Sequence, residues 1–179
     1  NLINYNLYFR SQFNERFVNS IYFDSPSLRY AEDNLAGISN REKIRLRWYG
    51  SNSEILTNPI LERKVKKNFQ GFKKLYAIKT LDKLHINEKN MIEITKKVNQ
   101  TLSKKNLQAM TQVSYRRYYL ISCDQKVRAT LDVDLKYRKL KNFIQNFFVR
   151  SNDTVLEFKY SNNIDNFLRK NIRGITRVS

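Results

Sequence analysis

Basic side chains recur at every second position in several stretches of this chain. Lys43, Arg45 and Arg47 form one such series, and Lys64 with Lys66 forms another; Arg117, Arg128 and Lys159 occupy comparable places in three further stretches. Arginine offers a rigid fork of N–H donors that matches a phosphate or carboxylate edge, and lysine adds a mobile point charge. Repeated along an extended backbone, the two types suit an anion with many oxygens. Glu62, Asp132, Asp134 and Glu157 fall on the same faces as these bases. Carboxylates beside an anion must either pair with the bases or hold a hard cation. A cation bridging Glu157 and phosphate oxygens would polarise phosphorus and offset charge on a leaving group.

The whole composition agrees with an anionic partner. Lys plus Arg number 34 against 16 Asp plus Glu, a formal charge of +18, and self-repulsion of that size opposes compaction unless an anion offsets it. The 41% apolar content is nevertheless that of a folded chain, and 179 residues suffice for a single domain with its own core. Cys123 and His85 are each the sole residue of their type, which excludes an internal disulfide, a cysteine zinc site and a histidine cluster. A metal would have to rest on carboxylates, which favours Mg2+ or Mn2+ over zinc. No apolar run is long enough to span a membrane, and the chain opens Asn1-Leu2-Ile3 without a basic-then-apolar leader. An excised segment of a cytoplasmic protein is the expectation.

The elements that must position these residues are mostly strands. Val18–Phe23 reads as a short strand, followed by a short helix capped by Asp24 or Ser25 and ending near Gly37. Arg41–Tyr49 is the clearest strand: Arg41, Lys43, Arg45, Arg47 and Tyr49 share one face, and Ile44, Leu46 and Trp48 the other. Ile60–Lys67 follows, with Glu62, Lys64 and Lys66 on one face and Leu61 and Val65 opposite, and it suggests a hairpin with the preceding strand. Residues 68–72 read as a loop, 82–101 as weakly helical, and Ser103 as the N-cap of a helix through Leu107 and Met110. Strands return at Gln112–Ile121, Val127–Leu135 and Thr154–Tyr160, with a basic linker or a poorly defined strand at 136–150 and a short helix at 162–171.

Like charges facing one another across strands are destabilising, and a bound polyanion would remove that cost. Periodicity alone allows two arrangements: strands closed around a basic lumen, or an open sheet with a solvated basic face.

The stretch from Ser20 to Gly50, which contains Arg41-x-Lys43-x-Arg45-x-Arg47-Trp48-Tyr49-Gly50, closely resembles the VTC domain, the polyphosphate polymerase domain of the triphosphate tunnel superfamily. Leu61-Glu62-Arg63-Lys64, Val113–Tyr118, Val127–Leu135 and Leu156-Glu157-Phe158-Lys159 continue the resemblance in order. It implies an α+β fold, an antiparallel β-barrel forming a tunnel with helices packed outside, occupying 1–179 as a single domain. The implied tunnel residues are Arg45, Arg47, Lys64, Arg117, Arg128 and Lys159, with Lys43, Lys66, Lys73 and Lys74 as secondary phosphate contacts and Lys79 as a further candidate. Arg63 and Arg116 point to the other face by alternation. Glu157 falls at the family's metal-binding glutamate, and Glu62 begins a similar pair.

Two elements of the family pattern are not found. No acidic-basic opening strand precedes Val18, and the closing serine-lysine-tyrosine element is represented by Ser179 alone, so the domain is expected to be incomplete at both ends. The resemblance implies transfer of the terminal phosphate of ATP to a polyphosphate chain with Mn2+ or Mg2+. A triphosphatase and a catalytically silent polyphosphate- or RNA-binding module are the alternatives. Nucleic acid ranks behind ATP, other triphosphates and polyphosphate as a partner, although Tyr115, Tyr118 and Tyr119, interleaved with Arg116 and Arg117, have the composition of a base-stacking surface.

Overall fold

The structure, a computed structural model, describes residues 8–68, 70–140, 147–161, 163 and 165. Its strands are β1 (Phe9–Asp24), β2 (Arg41–Tyr49), β3 (Ile60–Lys67), β4 (Gln70–Ala77), β5 (Gln108–Ser122), β6 (Arg128–Lys139), β7 (Val149–Arg150) and β8 (Val155–Lys159). Among the described residues, α1 (Arg29–Leu35) and α2 (Glu88–Leu102) lie between strands. The strands form one eight-stranded sheet in the order β4-β3-β2-β1-β5-β6-β7, with β8 also paired to β6. Every pairing with a defined register is antiparallel.

The expected barrel enclosing a tunnel is not what forms. The order of strands begins at β4 and ends at β7, and among the described residues no ladder joins the two. Closure needs a hydrogen-bonded seam between edge strands. β7 has two residues, both engaged with Lys136 and Tyr137 of β6, and cannot carry one.

The chain divides into two compact units. The larger holds 17–115 and 134–152. Its core follows from alternation on β1 to β3: Ile21, Phe23, Ile44, Leu46, Trp48 and Leu61 are buried together with Met91, Ile94, Val98 and Leu102 of α2. Those four α2 positions recur at helical spacing and put one apolar stripe against the sheet. Asn87 caps α2 by accepting the Asn90 amide (2.9 Å). Ser103 takes a left-handed conformation that ends the helix, so it closes α2 where an N-cap was expected. At α1 the N-cap position falls to Leu28, whose side chain offers no cap, and the expected Asp24 and Ser25 reach the helix from further upstream: the Asp24 carboxylate accepts the amides of Tyr30 (2.9 Å) and Ala31 (2.8 Å), and Ser25 Oγ accepts that of Arg29 (3.1 Å).

Several bounds also shift. β1 starts at Phe9, well before Val18; residues 70–77, read in part as loop, form β4; and β6 runs into the expected linker. β4 is exposed along nearly its whole length, so it lacks the alternation that marks a half-buried strand, and its ladder with β3 defines it. The expected helix at 162–171 lies largely outside the described residues.

The smaller unit holds 1–16, 116–133 and 153–179. Its described part contains the start of β1, the β5–β6 hairpin end and β8. The hairpin is closed by Ser122 N–H donating to Val127 O (2.9 Å), while Ser122 Oγ accepts the Val127 amide (3.0 Å). Val127 and Ala129 are buried there. No helix among the described residues is long and apolar enough to cross a membrane.

Candidate functional site

In the larger unit the register of β2, β3 and β4 decides which basic residues meet. Arg41 pairs with Lys66, Lys43 with Lys64, Arg45 with Glu62, and Arg47 with Ile60. On the next strand Lys64 pairs with Lys73, and Glu62 with Leu75. Residues directly opposed across a ladder share a face, so Arg41, Lys43, Arg45, Arg47, Lys64, Lys66 and Lys73 all lie on the face turned away from Trp48 and α2. Lys43, Lys64 and Lys73 form a row of like charges across three adjacent strands. Lys74 pairs with Arg63 and alternates to the opposite face; Lys79 opens the short 3-10 turn Lys79–Leu81.

Glu62 sits among these cations, with only 3% of its surface exposed. Arg45 Nε donates to its Oε2 (2.7 Å), and Arg45 Nη2 lies at 2.7 Å from the same oxygen. Arg47 Nη2 and Lys73 Nζ reach its Oε1 at 2.7 and 3.1 Å. Burial pushes the Glu62 carboxyl upward, but Arg45, then Lys73 and Arg47, outweigh it and hold the group below the usual carboxylate range. Arg45 is correspondingly raised: burial acts against its charge, and Tyr22 and Glu62 more than compensate. Arg45 Nη1 also donates to Tyr22 Oη (3.4 Å). Partial desolvation, followed by the charges of Lys64, Arg41 and Arg45, lowers Lys43 below the ordinary lysine value.

Ser20 and Tyr22 were not singled out from sequence. They stand opposite Arg47 and Arg45 in the β1–β2 ladder. The signal was present in the alternation of Ser20 and Tyr22 with Ile21 and Phe23, once β1 is known to flank β2. Arg63 lies on the helix-covered face as expected, donating from Nε to Glu42 Oε1 (2.7 Å), while Lys104 Nζ reaches Glu42 Oε2 (3.1 Å).

In the smaller unit Arg128 pairs with Lys159, Thr130 with Glu157, and Asp132 with Val155. The same face carries Arg117, whose Nε and Nη2 both donate to the Asp132 carboxylate (2.6 Å each). Asp132 is therefore the partner of a base. Glu157 is half exposed, and its Oε1 lies 3.6 Å from Lys159 Nζ. Arg116 is near Glu15 (3.7 Å) and stacks over the Tyr118 ring, and Tyr119 packs edge-on against Phe13. Tyr115, in the larger unit, is buried beside Val18 and Leu135. Tyr115 is thus a core residue, whereas Tyr118 and Tyr119 are partly exposed and contact Arg116 and Phe13.

Each unit thus presents a basic face of arginine and lysine side chains, in which Arg45 and Arg47 contact Glu62 and Arg117 contacts Asp132. The model of the VTC domain family matches residues 5–177. The chain belongs to the VTC domain family. No curated protein matches it. In this VTC domain the residues carried over from the family pattern fall into two sets, Arg45, Arg47 and Lys64 in the larger unit and Arg117, Arg128, Glu157 and Lys159 in the smaller.

A divalent ion fits the donor set in one way. Among the described residues no three carboxylate, histidine or cysteine side chains gather as a cage. Mg2+ and its like are, however, commonly bound through one or two carboxylates together with substrate phosphates. The accessible Glu157 carboxylate, beside Arg128 and Lys159, has that character.

Proposed function

We propose that this VTC domain binds a linear phosphate chain or a triphosphate on the basic faces of its two units and supports phosphoryl transfer from ATP to a polyphosphate chain. The observation that carries the reading is the row Lys43–Lys64–Lys73, three directly opposed lysines with Arg41 and Lys66 as the next pair. An ordinary solvated face gains nothing from such a row and bears its repulsion. A chain of phosphates, with a negative charge on every unit, converts the repulsion into attraction.

The arginines and lysines divide the work by chemistry. Arg45 and Arg47, fixed by Glu62, offer directed N–H donors to phosphate oxygens; Lys43, Lys64 and Lys73 supply charge that can follow a chain of variable position. Arg117, fixed by Asp132, Arg128 and Lys159 do the same in the smaller unit. Fixed cations that balance charge as it moves between phosphate oxygens are the main source of acceleration in phosphoryl transfer. Glu157, with phosphate oxygens, would hold Mn2+ or Mg2+, which supplies Lewis-acid polarisation of the transferred group. No covalent nucleophile is required, because an oxygen of the acceptor phosphate can attack the γ-phosphorus directly as its bond to the β–γ bridging oxygen breaks and ADP leaves.

The test incubates the protein with ATP and Mn2+ and follows polymer and free phosphate separately, with Glu157→Gln alongside. Polymer that disappears in Glu157→Gln, while tripolyphosphate binding is kept, supports the transferase reading. Free phosphate without polymer replaces it with a triphosphatase. Binding with neither product leaves a silent phosphate-binding module, and no binding removes the phosphate reading altogether.

A further inference from the structure

Glu62 has the side-chain type of a metal ligand but not the surroundings of one. Its two oxygens are approached by cations from the strands on either side: Arg45 and Arg47 on β2, and Lys73 on β4, with Glu62 itself on the intervening β3. With 3% of the residue exposed, little room is left for a hydrated cation, and an incoming divalent ion would meet three positive groups first. The arrangement does something else. Without an anchor, long basic side chains on one face would splay apart to relieve repulsion, and each would lose rotamer freedom on binding an anion. A buried carboxylate pulls them inward, fixing the Arg45 guanidinium through a hydrogen bond and holding that of Arg47 as a close ion pair. Arg45 is held further by Tyr22 Oη, and Arg47 by the Tyr49 ring, 5.1 Å from its guanidinium carbon.

Resting on the phosphate-binding reading above, we infer that Glu62 is a positioning residue: it gathers Arg45, Arg47 and Lys73 into a preformed recognition cluster for the oxygens of a phosphate chain. The carboxylate offsets part of the face's positive charge and in return orients what remains. This makes a prediction whose sign is opposite to simple electrostatics. Removing the charge of Glu62 makes the face more positive, so a diffuse basic surface would bind a polyanion more tightly. A positioned cluster would bind it more weakly.

The experiment measures tripolyphosphate affinity by calorimetry over a range of salt concentrations, for the unsubstituted chain, Glu62→Gln, Glu62→Asp, Lys73→Met and the Glu62→Gln/Lys73→Met pair, with and without Mn2+. Glu62→Gln is expected to bind about tenfold more weakly at every salt concentration, the scale of a single charge-assisted hydrogen bond to the ligand. Glu62→Asp keeps the charge but withdraws it by one methylene, and is also expected to weaken binding. Lys73→Met should cost less in the Glu62→Gln background than alone. Equal or tighter binding by Glu62→Gln overturns the inference. So does a loss confined to Mn2+-containing samples, which would make Glu62 a metal ligand. Should Glu62→Gln not fold, Glu62→Asp decides, and undiminished affinity there overturns the inference equally. Absence of binding by the unsubstituted chain defeats the phosphate reading itself, whereas binding that is indifferent to Glu62 defeats this inference alone.

Discussion

Replacing Lys64 by glutamine tests the premise on which the phosphate reading stands. Lys64 is the middle member of its row, facing Lys43 on one side and Lys73 on the other. Directly opposed residues have Cβ atoms about 5 Å apart, and long side chains let the amines splay to about 8 Å. At an effective dielectric of about 40 for an exposed pair, each repulsion is about 1 kcal/mol before screening. A Debye length of about 8 Å at physiological ionic strength cuts each to about 0.4 kcal/mol. Lys73 is offset by its contact with Glu62 (3.1 Å), so Lys64→Gln relieves chiefly the repulsion with Lys43 and should stabilise the free protein by about 1 kcal/mol in dilute buffer and by about 0.4 kcal/mol at physiological salt. For a chain of this size that is a rise in Tm of roughly 2–4 °C per kcal/mol. Thermal melts at several salt concentrations, with and without tripolyphosphate, give the answer. The expected pattern is a higher Tm without ligand, a difference that vanishes in high salt, and a smaller gain on adding tripolyphosphate. A lower or unchanged Tm in dilute buffer would show that the row carries no strain for an anion to relieve, and the reasoning would fail.

Three further outcomes follow from the Arg117–Asp132 pair and from Lys43. Asp132→Asn removes the bidentate partner of Arg117, whose side chain is only 19% exposed, and should destabilise the fold by about 2–3 kcal/mol in chemical denaturation; a neutral effect would mean the pair is not needed to hold that side chain. Lys43 is lowered in the folded state, so between its lowered value and the ordinary 10.5 the unfolded chain holds a proton the folded chain has released, and stability contributed by this group rises with pH through that window. A polyanion pulls Lys43 back upward, so tripolyphosphate binding should take up protons in the same window. Calorimetry in two buffers of different ionisation enthalpy reads this directly, and identical apparent enthalpies would contradict it.

Much of the candidate site was legible along the chain because a strand projects its side chains with period two. Arg45, Arg47 and Lys43 on one face of β2, with Ile44, Leu46 and Trp48 on the other, is a local pattern that tertiary structure confirmed. The same held for Glu62, Lys64 and Lys66 on β3, while Asp24 and Ser25 accept the first amides of α1 from upstream of its N-cap, Leu28. Where a segment lacked alternation, the pattern was silent. β4 is exposed nearly throughout and owes its conformation to its ladder with β3, so Lys73 could not be separated from Lys74 until register put one beside Lys64 and the other beside Arg63. Ser103 ended α2 instead of starting a helix, because the residues after it, Gln108 onward, pair in the sheet.

The residues by themselves determined that a strongly basic, strand-rich chain carries cations on one face and apolar side chains on the other, since charge and period two are properties of composition and order. They did not determine which cations become neighbours or whether the sheet closes. Those depend on pairings between distant segments, whose register is set by the shared core and the ladder hydrogen bonds. Only the folded sheet placed Glu62 between Arg45, Arg47 and Lys73, paired Arg117 with Asp132, and left an order of strands running from β4 to β7 where a closed barrel had been expected.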